Sequence, residues 1–281
     1  SAPDVKNIYQ IPLNFEKDNL SSKILKKFNL KPRKNDFQAW RRLVKKSESL
    51  GKEIRIGIVG KYFASGDFIL PDAYISVIES LKHACFENNV QPKIDWINSD
   101  VYEKDKKALK ELDDYNCLVV PGGFGSRGIE GKILAIQYAR ENKIPYLGLC
   151  YGMQLAAIEF VRHVCGKKDA HTTEIDPKTK NPVIHIMPEQ AVKLSKKQYG
   201  NTMRLGACPC ILKKGSLAEK LYGKSRISER HRHRYEFNNA FRNMVEKKGL
   251  VLSGTSPDKS LVEIIELAGH PFFVGVQFHP E

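Results

Sequence analysis

Residues 117–164 read CLVVPGGFGSRGIEGKILAIQYARENKIPYLGLCYGMQLAAIEFVRHV, and this stretch decides the fold. Its two short apolar runs, 117–120 and 144–150, have the length and composition of buried β-strands. Each run leads into a segment whose apolar residues recur at i, i+3 and i+4, which is the spacing of a helix face. The stretch therefore predicts strand, helix, strand, helix, and connections of this kind place consecutive strands side by side and parallel.

The same alternation continues toward the N-terminus. The runs EIRIGIVGKY (53–62) and KIDWINSD (93–100) resemble strands, and helical spacing follows them at 70–89 and 104–114. Four alternations of strand and helix predict an α/β fold with a mostly parallel central sheet and helices on both faces. In such a sheet, ligands gather at the carboxyl ends of the strands.

Toward the C-terminus the periodicity weakens over residues 171–241, which are rich in Lys, Arg and turn residues. We predict an insertion with short strands there. Three strand-like runs then follow, GLVLSG (249–254), LVEIIEL (261–267) and FFVGVQFHPE (272–281), and they would complete the sheet.

Residues 1–50 form a different kind of segment. An extended stretch at 7–15 is expected first, then a Lys-rich helix at about 21–28 and an amphipathic helix that contains Trp40. The apolar residues are too few for an independent domain. We therefore predict an interdomain linker or N-terminal arm over 1–50 and one domain over 51–281.

The composition is that of a globular protein: 281 residues, of which 41% are hydrophobic and 28% charged. No apolar run reaches the roughly 18 residues of a membrane span, and the start lacks the pattern of a signal peptide. We expect a cytoplasmic protein without a membrane partner. The six cysteines are too sparse for a disulfide scaffold. The pair in Cys208-Pro209-Cys210 is a weak zinc signal without partner motifs, so no metal site is predicted.

The net charge of +14 is concentrated in two segments. Residues 1–50 hold 12 Lys and Arg against 5 Asp and Glu, and residues 193–234 hold 12 against 2. Basic segments of this kind suit an anionic partner, although a solvated charged face is the commoner cause. An RNA-binding module would interleave aromatic residues with the basic ones. These segments have few aromatic residues, so no nucleic-acid partner is predicted.

The sharpest local feature is Gly148-Leu149-Cys150-Tyr151-Gly152, at the point where a predicted strand ends and a helix begins. Glycines on both sides of a nucleophile allow the sharp turn that projects it from a sheet. The N-terminus of the following helix is expected to lower the pKa of the Cys150 thiol. The backbone amide of Tyr151 would face an oxyanion that forms there. A buried free cysteine in a tight turn is the alternative.

Two further motifs follow other predicted strands. Pro121-Gly122-Gly123-Phe124-Gly125 can aim backbone N–H groups at a substrate oxygen. In Gln277-Phe278-His279-Pro280-Glu281, residues two apart face the same side of an extended chain, so His279 and Glu281 can lie together. A carboxylate beside an imidazole selects its tautomer and leaves the second nitrogen to accept a proton from a thiol. Together the three motifs predict a nucleophile, a base and an orienting carboxylate.

In this order, GLCYGMQ, PGGFG and QFHPE resemble the class I glutamine amidotransferases, which hydrolyse glutamine by a Cys-His-Glu triad and pass ammonia to a synthetase. The longer strings FGSRGIEGK, NTMRLG and ERHRHRYEFNN are similar to the glutaminase domains of the CTP synthase family. The resemblance runs from about residue 55 to 281, and it implies the three-layer α/β architecture of that family. The motif CYGMQ is also familiar from GMP synthase, which remains an alternative, as does a catalytically silent regulatory domain.

The resemblance implies Cys150 as nucleophile, His279 as general base and acid, and Glu281 as the residue that orients the imidazole. It implies that the backbone amides of Gly123 and Tyr151 form the oxyanion hole. A thioester intermediate on the cysteine is part of the same implication.

The resemblance further implies that L-glutamine is bound by Gly123, Tyr151, Gly152, Met153, Gln154, Glu174, Arg234 and Tyr235. A free amino acid offers an ammonium group for Glu174 and a carboxylate for Arg234. Without the resemblance, Glu174 would be interpreted as a solvated loop residue. For Arg230 and Arg232, a charged strand face remains the alternative to a functional role.

The family's other half-reaction implies partners and cofactors beyond this chain. The sequence has no G-x-x-x-x-G-K-[ST] motif, so no cofactor is predicted within it. The resemblance implies a synthetase domain in the same polypeptide, which uses ATP and Mg²⁺ to aminate UTP to CTP. It also implies GTP as an allosteric activator, with Phe124 near the nucleotide, and a homotetrameric full-length enzyme.

Overall fold

The computed structural model describes residues 4–5, 7–33, 36–60, 74–123, 125–186 and 203–281. The chain divides into two compact units, Ser1–Ile54 with Glu79–Pro92 and Arg55–Ile78 with Lys93–Glu281. The predicted division at residue 50 stays a prediction.

The N-terminal part of the first unit is helical. Its helices are a 3₁₀ turn at Ile8–Gln10, α1 at Ile11–Lys17, α2 at Leu20–Lys27 and α3 at Gln38–Glu48. The extended conformation expected at 7–15 is therefore wrong. Asn7 accepts a hydrogen bond from the backbone N–H of Tyr9, and Pro12 lies in the first turn of α1, where a missing N–H costs nothing. These local signals favour a helix start over a strand.

Over residues 53–163, strands and helices alternate as predicted in the part that the structure describes. The strands are β1 (Glu53–Gly60), β2 (Gln91–Asn98), β3 (Cys117–Val120), β4 (Tyr146–Leu149), β5 (Ala170–Thr172), β6 (Asn181–Ile186), β7 (Arg204–Leu212), β8 (Arg226–His233), β9 (Tyr235–Phe237), β10 (Leu250–Thr255), β11 (Val262–Leu267) and β12 (Phe273–Val276). The helices are α4 (Ile75–Glu87), α5 (Asp100–Lys104), α6 (Ile129–Glu141), α7 (Tyr151–His163), α8 (Leu217–Tyr222) and α9 (Arg242–Lys247), with 3₁₀ segments at Lys106–Asp114 and Asn239–Phe241.

Among the described residues, one sheet contains nine strands in the order β2-β1-β3-β4-β12-β11-β10-β7-β8. The pairs β1–β3, β3–β4 and β4–β12 are parallel, which confirms the predicted α/β class. The pairs from β12 to β8 are antiparallel. A small second sheet has the order β5-β6-β9.

The helix α7 lies at the centre of the second unit. Every residue from Tyr151 to Val161 is buried, and the helix packs against α6, β4 and β12. The buried carboxylate of this helix, Glu159, is paired with Arg140, so its charge does not prevent burial. The element that follows Cys150 is therefore held rigidly by the core.

The segment 171–241 differs from the predicted insertion. Its strands β7 and β8 have 9 and 8 residues, and β7 pairs with β10, so this hairpin extends the main sheet. In β8 buried residues alternate with more exposed ones, and two of the buried residues are histidines, so the hydrophobic signal of this strand is weak. Residues 193–202 of the second basic segment lie outside the described residues.

Candidate active site

Three neighbouring strand ends build the site. The order β3-β4-β12 is parallel throughout, so the loops after Val120, Leu149 and Val276 emerge at one edge of the sheet. These loops hold the glycine motif, Cys150 and the His279 motif. Residues far apart in sequence therefore meet because their strands are adjacent.

Cys150 lies in a strained turn between β4 and α7. Its φ of 50° and ψ of −98° belong to a region that residues with a side chain rarely adopt. A Cβ on Gly148 would lie 2.6 Å from the Tyr146 hydroxyl, and one on Gly152 would lie 2.1 Å from the Val120 carbonyl oxygen. Both glycines are thus required by the close passage of neighbouring chain, as the elbow interpretation predicts.

The sulfur of Cys150 is buried. Gln277 Nε2 donates to Sγ over 3.7 Å, and Sγ donates to the Arg232 carbonyl oxygen over 3.9 Å. Burial raises the pKa of the Cys150 thiol to about 12, although a hydrogen bond from the Tyr151 backbone N–H opposes it. The nearby carboxylate of Glu236 raises the pKa further. The expected low pKa is therefore wrong for this thiol, because desolvation outweighs the helix terminus.

His279 and Glu281 form the predicted pair. Nδ1 of His279 lies 2.8 Å from Oε1 of Glu281, and the His279 backbone N–H donates to the Arg230 carbonyl oxygen over 2.7 Å. The imidazole packs against Gly122, where a Cβ would lie 2.9 Å from His279 Cε1 and 3.6 Å from Cys150 Cβ. Gly122 therefore allows the imidazole and the cysteine to approach the same point.

The predicted oxyanion residues border Cys150. Gly123 follows Gly122, and a Cβ there would meet no atom within 4 Å among the described residues. Tyr151 begins α7, so its N–H has no partner within the helix and faces Cys150. Phe124 lies outside the described residues.

Most of the predicted glutamine contacts line one small pocket of about 10 Å³, which is room for about one water molecule. Its lining residues are Gly123, Cys150, Tyr151, Gln154, Glu174, His233, Arg234 and Tyr235. The Gln154 amide nitrogen donates to the Tyr235 carbonyl oxygen and to Gln277 Oε1. Gly152 and Met153 do not line this pocket, since they face Val120 and Gly275 within the core.

His233 is the lining residue that the sequence analysis did not single out. In Arg230-His231-Arg232-His233 the side chains alternate, with both histidines buried and both arginines exposed. This period of two was the available signal, because it places the histidines on the face opposite the arginines. Arg230 and Arg232 line a larger pocket of about 290 Å³, together with Cys150, His279 and Glu281.

The described residues contain no group of three or more His, Cys, Asp or Glu side chains placed to hold a metal ion. No helix among them is long and apolar enough to cross a membrane.

Comparisons with known proteins identify the family of this chain. Residues 69–281 match the family model described as glutamine amidotransferase class-I. The CTP synthase of Clostridium acetobutylicum is 51% identical over 278 residues, which cover 99% of this chain and 50% of that protein. The CTP synthase of Carboxydothermus hydrogenoformans is 50% identical over 282 residues, covering 100% of this chain and 51% of that protein. The chain thus spans about half the length of these curated relatives.

A solved structure gives the same result. The glutaminase domain of Trypanosoma brucei CTPS with bound acivicin is 38% identical, with a TM-score of 0.74. The match covers 81% of this chain and 86% of that one. These relatives favour CTP synthase over the GMP synthase alternative. The chain therefore belongs to the class I glutamine amidotransferases, as a glutaminase domain of the CTP synthase type.

Proposed function

We propose that this chain hydrolyses L-glutamine with Cys150 as nucleophile, His279 as general base and acid, and Glu281 as the orienting carboxylate. The observation that carries the proposal is the meeting of these groups at the ends of β4 and β12, with Cys150 in a strained turn. Strain of this kind persists at sites where it serves function.

In the proposed first step, His279 Nε2 accepts the thiol proton while Sγ attacks the carboxamide carbon of glutamine. The raised pKa of Cys150 supports a base, since the buried thiol is protonated before substrate binds. The new C–S bond pushes the carbonyl electron pair onto oxygen, which the amides of Gly123 and Tyr151 would stabilise. Glu281 holds the Nδ1–H tautomer that leaves Nε2 free.

In the second step the C–N bond breaks and His279 returns the proton to the leaving nitrogen, which gives ammonia and a thioester on Cys150. Water then attacks the thioester with His279 again as base, and glutamate leaves with the thiol restored. The complete reaction consumes one glutamine and one water, and these steps use no cofactor in this chain.

For substrate binding, we assign the α-ammonium group to Glu174 and the α-carboxylate to Arg234. Both line the small pocket beside Cys150, and their charges are opposite to those of the two groups. Gln154 and Tyr235 line it too, whereas the first-turn residues Gly152 and Met153 would act through backbone alone. Because the pocket has room for about one water molecule, its side chains must move apart when glutamine enters.

An electrophilic glutamine analogue tests the proposal. We expect one adduct per chain on Cys150, located by peptide mass spectrometry, and protection by excess L-glutamine. Cys150→Ala should abolish the adduct, whereas the matched variant Cys165→Ala should keep it. Labelling that glutamine does not block, or equal labelling of other cysteines, would contradict the proposal.

We also propose that the ammonia serves a synthetase domain in the same, longer polypeptide, which uses ATP and Mg²⁺ to aminate UTP to CTP. The support is the name CTP synthase shared by relatives about twice as long as this chain. In the full-length protein, activation by GTP and a tetrameric state are part of this proposal. Cys150→Ala should abolish CTP formation from glutamine and retain it with ammonium chloride. Loss of both activities would contradict the division of labour.

A further inference from the structure

His233 and Cys150 line the same small pocket. His233 is the last residue of β8, and the carbonyl oxygen of the preceding residue, Arg232, accepts the hydrogen bond from Cys150 Sγ. The exposed fraction of His233 is 3%, so the imidazole is buried.

One ring nitrogen of His233 has its partners inside the protein. Nδ1 lies 3.1 Å from the Tyr235 carbonyl oxygen and 3.4 Å from Glu236 Oε1. A carbonyl oxygen only accepts hydrogen bonds, so Nδ1 carries the hydrogen. Burial lowers the pKa of His233 to about 3, and the neighbouring His231 and Arg204 act in the same direction. The ring is therefore neutral, and its Nε2 presents a bare lone pair.

This lone pair has no hydrogen-bond partner among the residues that the structure describes, although Nε2 is buried. Leaving a buried acceptor without a donor costs free energy, so such an atom points to a group that arrives from outside. The group must bring an N–H or O–H into the pocket beside Sγ.

We propose that His233 Nε2 accepts a hydrogen bond from the carboxamide N–H of bound glutamine, and that it thereby discriminates glutamine from glutamate. The inference rests on the proposed function, in which Sγ attacks the carboxamide carbon. The carboxamide nitrogen must then lie next to the sulfur, where His233 is. A glutamate side-chain carboxylate has no hydrogen to donate, so its oxygen would face the lone pair.

A buried network holds the ring in this position. Glu236, which lies against Nδ1 of His233, is 3.8 Å from Arg204 Nη1. Arg204 Nη1 lies 2.6 Å from Glu263 Oε1, and Glu263 Oε2 lies 2.9 Å from His231 Nε2. His231 therefore has its own partner within the network, and it does not line the small pocket.

Equilibrium binding to the Cys150→Ala protein tests the proposal without turnover. Three ligands are compared by calorimetry: L-glutamine, L-glutamate and the methyl ketone isostere of glutamine, in which CH₃ replaces NH₂. We expect glutamine to bind at least about tenfold more tightly than either of the others. The isostere isolates the N–H, because it has the shape and neutrality of glutamine.

Two substitutions in this background separate binding from structure. His233→Asn keeps an amide near the Nδ1 position and removes the acceptor, so glutamine should lose its advantage over the isostere. His233→Gln places an amide oxygen near the Nε2 position and should retain most of it. Arg226→Asn, on the exposed face of the same strand and outside this network, is the control, and it should keep the full preference.

Three results would overturn the proposal: equal binding of glutamine and the isostere before any change at His233, a preserved preference in His233→Asn, or equal loss in both His233 variants. The first of these results needs no change at His233, so it tests the proposal even if a His233 variant does not fold. Failure of the proposed function has a different signature, since glutamine would then neither bind Cys150→Ala nor protect Cys150 from the electrophilic analogue. That result overturns both proposals.

Discussion

Two imidazole–carboxylate pairs flank Cys150, and they differ in burial. In the pair His279–Glu281 the imidazole is 17% exposed and opens onto the larger pocket. In the pair His233–Glu236 the imidazole is 3% exposed and lines the small pocket. In each pair Nδ1 faces a carboxylate, and Nε2 is left for another group.

The comparison shows that burial, rather than the pairing itself, determines what each imidazole can do. A base must take up and release protons, which requires that the charged imidazolium be tolerated. Burial lowers the pKa of His233 to about 3 and raises that of Glu236 to about 8, so both groups are held neutral at neutral pH. The first pair is suited to proton transfer and the second to hydrogen bonding.

Removing the first imidazole should have the largest effect. His279→Ala is expected to lower kcat/KM for glutamine hydrolysis by about 10³-fold, because the base and acid are lost together. Steady-state ammonia release measures this, with circular dichroism as a check on folding. A variant that kept a tenth of the wild-type rate would remove the distinction between the two pairs.

The two carboxylates should respond differently to the same substitution. Glu281→Gln is expected to lower kcat by at least about a hundredfold, since the amide no longer stabilises the imidazolium. Glu236→Gln is the matched change in the buried pair, and kcat should stay within a few fold. Equal losses in the two variants, measured in one ammonia assay, would show that both pairs take part in proton transfer.

A change at the turn between the pairs should affect stability. Gly152→Ala places a Cβ 2.1 Å from the Val120 carbonyl oxygen, so α7 or β3 must shift. We expect the free energy of unfolding in urea to fall by about 2 kcal/mol. Gly123→Ala is the control, because its Cβ meets no described atom within 4 Å. An unchanged midpoint in Gly152→Ala would mean that the elbow is not tightly packed.

The buried carboxyl group of Glu236 should give an effect of similar size that is visible only as a pH dependence of stability. Glu236 has its pKa raised from 4.5 to about 8, so between these values the native state holds a proton that the unfolded chain releases. Unfolding free energy therefore falls as pH rises through this range. The lowered pKa of His233 makes stability rise with pH, but only below the ordinary histidine pKa of 6.5. The range from pH 6.5 to 8.5 therefore reports on Glu236.

Over that window, wild type should lose about 2 kcal/mol more than Glu236→Gln, whose amide does not titrate. Urea titrations at the two pH values measure the difference. Parallel pH dependences in the two proteins would contradict a protonated Glu236.

The alternation of strand and helix over residues 53–163 was predictable because apolar periodicity reports directly on local structure. Cys150, His279 and Glu281 were predictable because each lies in a short motif with a local physical reason, the glycine elbow or the two-residue spacing. The N-terminal stretch 7–15 was not, since its helix start depends on one cap and one proline.

The sequence alone determined the glycine-flanked turn at Cys150, the pairing of His279 with Glu281, and the order of strands and helices along residues 53–163. Only the tertiary structure decided the burial that raises the pKa of Cys150 and keeps His233 neutral. It also decided that Glu174, Arg234 and Cys150 line one pocket. Desolvation and the meeting of distant strands depend on how the whole sheet packs, and no local pattern encodes that packing.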